Sequence, residues 1–160
     1  MNVSKKFTKF QNITERLFAK RVTLLTDIKT PVIKRNPYGV LSFTWDCSCK
    51  EIEDMCVFIT PKEITLSCKI AHIHFASSKH SEENLTNLKK KHQIVDNSIQ
   101  FAYQFLQGEI AAVISYDENE KKHSYGFCKT NELSSSLKYY QQVFGSGMTQ
   151  RAWIWTGEII

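Results

Sequence analysis

Apolar residues recur at helical spacing near the start of the chain. Between residues 4 and 21, five large apolar side chains follow one another at intervals of one, three or four positions. They are Phe7, Phe10, Ile13, Leu17 and Phe18. With Ser4 as a candidate N-cap, this spacing predicts an amphipathic helix with a basic outer face. Residues 22–36 include Pro31 and predict an extended or irregular link, which ends in the turn sequence NPYG.

From residue 40 the helical spacing gives way to strict alternation, the period of a half-buried strand. In VLSFTWDC (40–47) one face carries large apolar side chains and Cys, and the other is polar. The first face consists of Leu41, Phe43, Trp45 and Cys47. MCVFIT (55–60) is apolar on both faces and predicts a central strand, and ITLSCKI (64–70) alternates again. Short polar turns between these segments predict antiparallel pairing.

The alternation changes sides just before His72 and His74. If the strand ran straight on, both imidazoles would be buried while Ile73 and Phe75 turned to water. Burial of each of those two apolar side chains is worth about 2 kcal/mol, whereas burial of an unpaired imidazole costs free energy. One extra residue in a turn or bulge swaps the faces of a strand. The sequence therefore predicts a break at Ile70–Ala71, with both histidines directed outward.

A second helical stripe precedes Gly108. Its members recur at steps of three and four and predict a helix of about six turns. They are Leu85, Leu88, His92, Val95, Ile99, Ala102, Tyr103 and Leu106. Ser81 is the predicted N-cap, and Glu82 and Glu83 lie in the first turn, where carboxylates interact favourably with the helix dipole. Gly108 is the predicted terminator.

After this helix the chain returns to strands. GEIAAVISY (108–116) predicts a strand that is buried on both faces, and the charged sequence DENEKK (117–122) predicts a hairpin loop. HSYGFC (123–128) predicts the returning strand. These segments form a second strand pair beyond the long helix.

A short helix near residues 134–143 and a closing strand at 151–159, with Trp153 and Trp155 on one face, complete the order. Strands in runs joined by short turns predict an α+β fold with a mainly antiparallel sheet. We expect one two-layer domain over residues 1–160, in which the sheet packs against the long helix and the N-terminal helix. A length of 160 residues with 42% hydrophobic composition suits a single core.

Charge is unevenly distributed along the chain. The net charge is +5, and residues 1–50 carry ten Lys and Arg against three Asp and Glu. Residues 51–128 carry eight against eleven, and residues 129–160 carry three against two. A basic first third attracts acidic partners or nucleic acid. A solvated surface is the other interpretation, and the sequence favours it.

Targeting and redox features predict a cytoplasmic protein. The N-terminus MNVSKKFTKF lacks the apolar core of a secretory signal, and no run approaches the roughly 18 apolar residues of a membrane span. Five cysteines without an export signal are most simply reduced thiols. We therefore expect no membrane partner.

Metal and catalytic chemistry have candidate residues but no strong motif. The donors available for zinc are Cys47, Cys49, Cys56, Cys68, His72 and His74. A C-x-C spacing and cysteines that alternate with core residues are not the knuckle pattern of a zinc site. His72 and His74 are candidates for acid–base work with His123 or Glu109. The favoured prediction is nevertheless no enzyme, no cofactor and no metal.

The C-terminal region is rich in aromatic residues of the kind that anchor protein interfaces. Tyr139 and Tyr140 are predicted to be exposed, and Trp153 and Trp155 suit an interface and a core equally well. All four are candidate partner-binding residues.

The middle of the chain resembles a known family. LSFTWD, ITPKEITLSCK, HIHF and, after a long helix, LQGEIAAV are similar to segments of small bacterial immunity proteins from polymorphic-toxin systems, including contact-dependent growth inhibition. The resemblance covers residues 38–117. It implies a cytosolic, non-enzymatic protein that binds and neutralises one cognate toxin domain, commonly a nuclease.

The charge of the chain departs from that pattern, because inhibitors of basic nucleases are usually acidic. Two acidic stretches, EIED and DENE, remain available to face a basic toxin. Their carboxylates are Glu51, Glu53, Asp54, Asp117, Glu118 and Glu120. Alternatively, the toxin is acidic or is not a nuclease. The second hypothesis is a small nucleic-acid-binding protein or hydrolase that uses His72, His74 and the basic N-terminal region, although nucleic acid is the less favoured partner.

Overall fold

Two antiparallel sheets and four helices make up the α+β fold in the computed structural model, which describes residues 9–76 and 86–158. The helices are α1 (Ile13–Arg21), α2 (Thr23–Thr26), α3 (Asn87–Leu106) and α4 (Leu133–Phe144). The first sheet contains β1 (Val32–Arg35), β2 (Leu41–Asp46), β3 (Asp54–Ile59), β4 (Glu63–Ser67) and β5 (His72–Ala76). The second contains β6 (Ile110–Tyr116), β7 (Lys122–Lys129), β8 (Thr149–Ile154) and β9 (Gly157–Glu158). The α+β class predicted from the sequence is confirmed.

Strand order differs between the two sheets. The first is a meander with the order β1-β2-β3-β4-β5, and the second has the order β7-β6-β8-β9. The predicted central strand, β3, is the third of five. Within the described residues, no helix is long and apolar enough to cross a bilayer.

The chain divides into two compact units by its contacts. The first unit takes the described residues of Met1–Trp45, Cys56–Leu66 and His74–Tyr103. The second takes those of Asp46–Met55, Ser67–Ile73 and Gln104–Ile160. A single domain over residues 1–160 remains a prediction.

In the first unit, the alternation of β2 sets the core. Leu41, Phe43 and Trp45 are buried, as the sequence predicts, and the residues between them are half-buried. The Trp45 indole Nε1 donates to the Lys29 carbonyl at 2.9 Å, so its one polar atom is satisfied. Phe18 of α1 packs against Phe43, with 5.0 Å between ring centroids.

The N-terminal helix is shorter than predicted. α1 begins at Ile13 because the Asn12 side chain caps it, accepting from the Glu15 N–H at 2.9 Å. Phe10 therefore precedes the helix, and Ser4 and Phe7 lie outside the described residues. The link predicted to be extended or irregular begins with the short helix α2, and its later part is extended as β1, because residues 32–35 pair with β2 across the NPYG turn.

Glu15 and Arg35 form a buried ion pair between α1 and β1. Arg35 donates to both carboxylate oxygens, at 2.9 and 2.8 Å, and Glu15 is 1% exposed. The Gln11 N–H donates to the same carboxylate at 2.8 Å. Burial pushes the pKa of Glu15 upward, but the hydrogen bonds from Arg35 and Gln11 outweigh it, so this pKa lies below its ordinary value.

The predicted break before the histidines is present. A bend at residues 69–70 is closed by the Cys68 N–H, which donates to the Ala71 carbonyl at 2.8 Å. In β5 beyond it, His72 and His74 are exposed. Ile73 and Phe75 are half-buried, and Phe75 packs against Phe101 of α3 with 5.5 Å between ring centroids. The predicted reversal of faces is therefore confirmed.

The buried stripe of α3 agrees with the predicted one at Val95, Ile99, Ala102 and Leu106 and differs from it at other positions. Leu88 and Tyr103 are exposed, at 53% and 42%. The buried positions are Ile94, Val95, Ser98, Ile99, Ala102, Phe105 and Leu106. Steps of three and four trace two neighbouring stripes on one helix, and only packing selects between them.

Both ends of α3 follow local capping rules. The Thr86 hydroxyl accepts from the Lys89 N–H at 3.3 Å, while Ser81, Glu82, Glu83 and Leu85 lie outside the described residues. At the other end Gly108 has φ +77° and the Glu109 N–H donates back to the Gln104 carbonyl at 2.9 Å. This arrangement confirms Gly108 as the terminator, since the positive φ favours glycine.

In the second unit, β6 is the central strand and all its residues from Ile110 to Ser115 are buried. One face packs with Leu133 of α4, in a cluster with Val113 and Ala152. On the other face Phe105 contacts Phe127, with ring centroids 5.4 Å apart. The predicted strand buried on both faces, the hairpin after it and the short helix are all confirmed.

Candidate functional site

A continuous chain of aromatic rings runs along α4 and reaches β7. Tyr139 contacts Tyr140 at 6.0 Å between centroids, Tyr140 contacts Phe144 at 5.7 Å, and Phe144 contacts His123 of β7 at 4.5 Å. Tyr139 is 60% exposed, and Val143 and Phe144 are each 52% exposed. We call His123, Tyr139, Tyr140, Val143 and Phe144 the aromatic surface.

Two local features of the sequence build this surface. Leu133, Tyr140 and Phe144 follow one another on α4 at steps of seven and four, so both rings lie on the stripe that faces the sheet, whereas Tyr139 and Val143 lie beside that stripe. On β7, the register shifts between the pairs Ser115↔Ser124 and Tyr116↔Lys122. The extra residue in this bulge is His123, and a bulge re-aims the side chain that it carries. The imidazole thus lies against Phe144.

The hairpin loop between β6 and β7 brings carboxylates next to this surface. Asp117 Oδ1 accepts from the backbone N–H groups of Asn119 and Lys121, both at 2.9 Å, and so orders the loop. Glu118 and Glu120 are exposed. A groove of ≈ 300 Å³ separates the loop from the end of α4 and is lined by residues 117–119 and 144–148. Asp117, Glu118, Glu120, Tyr139 and Tyr140, all predicted partner-binding residues, therefore lie in one region of the second unit.

The other acidic stretch is a tight turn whose charge is partly compensated. Glu53 pairs with Lys69 at 2.5 Å and has φ +59°. Glu51 is exposed and accepts from the Cys49 thiol at 3.4 Å, and Asp54 is half-buried at the start of β3. Glu51, Glu53 and Asp54 remain untested as partner-binding residues, but the structure gives them a role in the turn.

The two tryptophans do not form an exposed pair. Trp153 is 5% exposed in β8, because that strand lies between β6 and β9 and the face carrying Trp153 is covered. β8 ends at Ile154, so Trp155 lies in a turn, half-buried, with its ring 5.8 Å from that of Phe105. The prediction of one long closing strand is wrong, since the chain turns at residues 155–156 and returns as β9. Trp153 is a core residue.

His74 has a carboxylate beside it that sequence reasoning missed. Its Nδ1 lies 2.9 Å from the Thr65 hydroxyl and 3.5 Å from Glu63 Oε1. Both Thr65 and Glu63 lie on the outward face of β4. The alternation of that strand could have identified them as neighbours of His74. The side chains of His74 and Glu63 are 51% and 40% exposed, so water surrounds the pair rather than an enclosed site.

The cysteines behave as core thiols. Cys49 and Cys68 are buried, and Cys47, Cys56 and Cys128 are half-buried. Burial raises the pKa of Cys68, which keeps it as the unreactive thiol. Cys47 Sγ donates to the Trp155 carbonyl at 2.8 Å. Among the described residues, no three His, Cys, Asp or Glu side chains are grouped so as to hold a metal ion.

Comparison of the chain with protein-family models, with curated proteins and with solved structures gives no match. The resemblance to immunity proteins therefore stays a prediction from sequence. Any functional conclusion rests on the geometry of the second unit.

Proposed function

We propose that this chain is a cytosolic immunity protein that binds and neutralises a cognate toxin domain, such as a nuclease, without catalysis. The observation that carries the proposal is the aromatic surface, a row of touching rings beside an acidic loop, in which Tyr139, Phe144 and His123 are exposed and Tyr140 is half-buried. The resemblance of residues 38–117 to immunity proteins supplies the kind of partner.

Exposed aromatic rings leave apolar area in contact with water, which is unfavourable. A bound partner would remove that area from water. Buried aromatic side chains each remove about 150–250 Å² from water, and tyrosine is enriched among the residues that dominate binding energy. A cluster of such rings, rimmed by charged side chains, is typical of a protein interface. The acidic rim at Glu118 and Glu120 favours a toxin with basic residues around an apolar centre.

The test uses the toxin encoded next to the gene for this chain. Titration calorimetry measures its affinity for the wild-type protein and for the variants Tyr139→Ala and Phe144→Ser, and growth of toxin-expressing cells reports neutralisation. Each variant is expected to weaken binding by about 2 kcal/mol or more, roughly 30-fold in Kd. Tyr38→Ala is the matched control, because Tyr38 is 92% exposed in the first unit.

Unchanged affinity in both α4 variants, with the fold intact by circular dichroism, would place the interface elsewhere and overturn the surface assignment. Failure of the adjacent toxin to bind or to be neutralised at all would overturn the function itself.

The alternative function is a small hydrolase or nucleic-acid-binding protein that uses His72, His74 and the basic N-terminal region. The Glu63–His74 pair is the one observation in its favour, since a carboxylate beside an imidazole orients it for proton transfer. Hydrolysis of a nucleic-acid or ester substrate that disappears in His74→Ala, but survives in Tyr139→Ala, would support it. Equal toxin neutralisation by His72→Ala and His74→Ala variants would count against it.

A further inference from the structure

The face of the second sheet opposite α4 is covered in the row of Phe127, Ala112 and Trp153, where Phe105 packs, but toward the β6–β7 hairpin it carries tyrosines and cations in adjacent positions. Ile114 of β6 pairs with Tyr125 on β7 and with Arg151 on β8, so these side chains share a face. Directly paired residues of antiparallel strands project to the same side, whereas Val113 and Ser115 project to the side that α4 covers. Tyr116, two residues beyond Ile114, lies on the same face as Tyr125.

Each tyrosine ring on this face has a cation against it. Lys122 Nζ is 4.3 Å from the centroid of the Tyr125 ring, and Arg151 Cζ is 5.3 Å from the centroid of the Tyr116 ring. The His72 ring lies 5.8 Å from that of Tyr125. Tyr125 is 50% exposed, and His72, Lys122 and Arg151 are exposed. We call these five residues the tyrosine–cation face.

Such a combination has a specific ligand chemistry. Arginine and lysine neutralise phosphates, and tyrosine rings offer surfaces on which bases stack. The bases of a duplex are already stacked on one another, so stacking on side chains requires a single strand. An acidic peptide satisfies the cations but makes no use of the rings.

We propose that the tyrosine–cation face binds single-stranded nucleic acid. This inference goes beyond the proposed function, because it concerns a different face of the second unit and a different ligand. It shares His72 with the sequence-based candidate for nucleic acid, which consisted of His72, His74 and the basic N-terminal region, and adds Tyr116, Tyr125, Lys122 and Arg151. Neighbouring strands lie about 4.8 Å apart, so Tyr125 and Arg151 are separated by roughly 10 Å. The footprint is short, and a non-specific Kd of about 10⁻⁴ to 10⁻⁶ M is expected.

The experiment titrates the full-length chain into fluorescein-labelled oligo(dT) of eight nucleotides and measures anisotropy over a range of salt concentrations. Tyr125→Ala is expected to weaken binding by about fivefold or more, as loss of one stacked base requires. Tyr125→Phe keeps the ring and is expected to retain wild-type affinity. Arg151→Gln is expected to reduce the slope of log K against log[salt] by about 0.7, the value for one phosphate on a single strand.

Matched controls lie in the first unit. Tyr38→Ala removes an exposed tyrosine and Lys34→Gln an exposed lysine away from this face, and neither is expected to change affinity by as much as the Tyr125 or Arg151 variants. A second probe, a fluorescein-labelled octapeptide of alternating Glu and Ser, measures the contribution of charge alone and is expected to bind less tightly than oligo(dT).

Three results would overturn the proposal. One is oligo(dT) binding that Tyr125→Ala and Arg151→Gln leave unchanged. Another is binding that Lys34→Gln weakens as much as Arg151→Gln does. The third is equal affinity for the acidic octapeptide, which would make the face a site for acidic protein segments. Toxin binding by Tyr139 and Phe144 variants is a separate measurement, so either proposal can fail without the other.

Discussion

The two units differ in charge and in how their exposed apolar residues are arranged. The described residues of the first unit include 11 Lys and Arg against four Asp and Glu, and those of the second include seven against ten. The net charge of +5 for the whole chain thus describes neither unit. Exposed apolar residues of the first unit lie on separate elements, such as Leu24 on α2, Val32 on β1 and Phe58 on β3.

In the second unit they are concentrated. Tyr139, Val143 and Phe144 share α4, and Tyr125 lies on β7. The first unit uses charged groups in its own structure: Arg35 with Glu15, and Arg21, which contacts both His92 at 2.7 Å and Asp96 at 2.6 Å. Local grouping of side chains, rather than total charge, is therefore the basis on which we propose the two binding surfaces.

The largest expected effect is a difference in stability between two variants of the second unit, one of which removes a core ring (Phe105) and the other a surface ring (Phe144). Phe105→Ala removes a fully buried ring that packs on Phe127 and Trp155, and is expected to cost about 3–5 kcal/mol of unfolding free energy. Phe144→Ala is expected to change stability by less than about 0.5 kcal/mol while weakening partner binding. Urea unfolding of both variants measures the difference. Similar losses in the two would show that Phe144 supports the fold.

In the first unit, removing one partner of the buried ion pair should be nearly as costly. Arg35→Ala leaves the Glu15 carboxylate buried without its cation, and a loss of about 3 kcal/mol is expected. Lys129→Ala breaks the exposed pair with Glu132 at 3.4 Å and should change stability by less than about 0.5 kcal/mol. Urea titrations again provide the measurement, and a loss for Arg35→Ala no larger than that for Lys129→Ala would contradict the structural role.

Low pH should reduce the stability that the Glu15–Arg35 ion pair contributes. Because the folded-state pKa of Glu15 is lowered, the unfolded state takes up more protons as pH falls. The stability that this carboxylate contributes is complete above the ordinary glutamate pKa of about 4.3 and is lost as pH falls through the lowered value. The gap in unfolding free energy between wild type and Glu15→Gln should therefore narrow from pH 5 to pH 3. A gap that does not change with pH would contradict the assigned pKa shift.

Substitution of two separate glycines, Gly147 and Gly126, gives a smaller test of the acidic loop between β6 and β7. A Cβ at Gly147 would lie 2.8 Å from the Cβ of Glu118, so Gly147→Ala must displace the loop. We expect a loss of about 1–2 kcal/mol and weaker binding of the toxin. Gly126→Ala meets no atom within 4 Å and should change stability by less than about 0.5 kcal/mol. Thermal unfolding distinguishes the two, and equal melting temperatures would mean that the loop accommodates the methyl group.

Local sequence patterns were sufficient to predict a helix or strand where one face of that element is clearly apolar. The alternation of Leu41, Phe43 and Trp45 predicted β2. The change of apolar residues from one strand face to the other before His72 predicted the bend. Both follow from the free energy of burying apolar side chains, which a sequence displays directly. Gly108 predicted the end of α3 because a helix commonly closes with a residue at positive φ.

The sequence predicted only part of the candidate site. The sequence marked Tyr139, Tyr140, Asp117, Glu118 and Glu120 separately, without any indication that they converge. It did not select Phe144 or Val143, because apolar residues at helical spacing are usually buried. Trp153 was ambiguous for a similar reason, since a strand gives no sign of which face will be covered.

By itself the sequence determined the α+β class, most of the elements and the outward direction of His72 and His74, because these depend on the spacing of apolar residues along a short segment. Only the tertiary structure decided that Leu88 and Tyr103 of the predicted α3 stripe are exposed, that Trp153 belongs to the core, and that rings and carboxylates meet beside α4. These outcomes depend on contacts between residues distant along the chain, and no local pattern records which of two possible faces receives them.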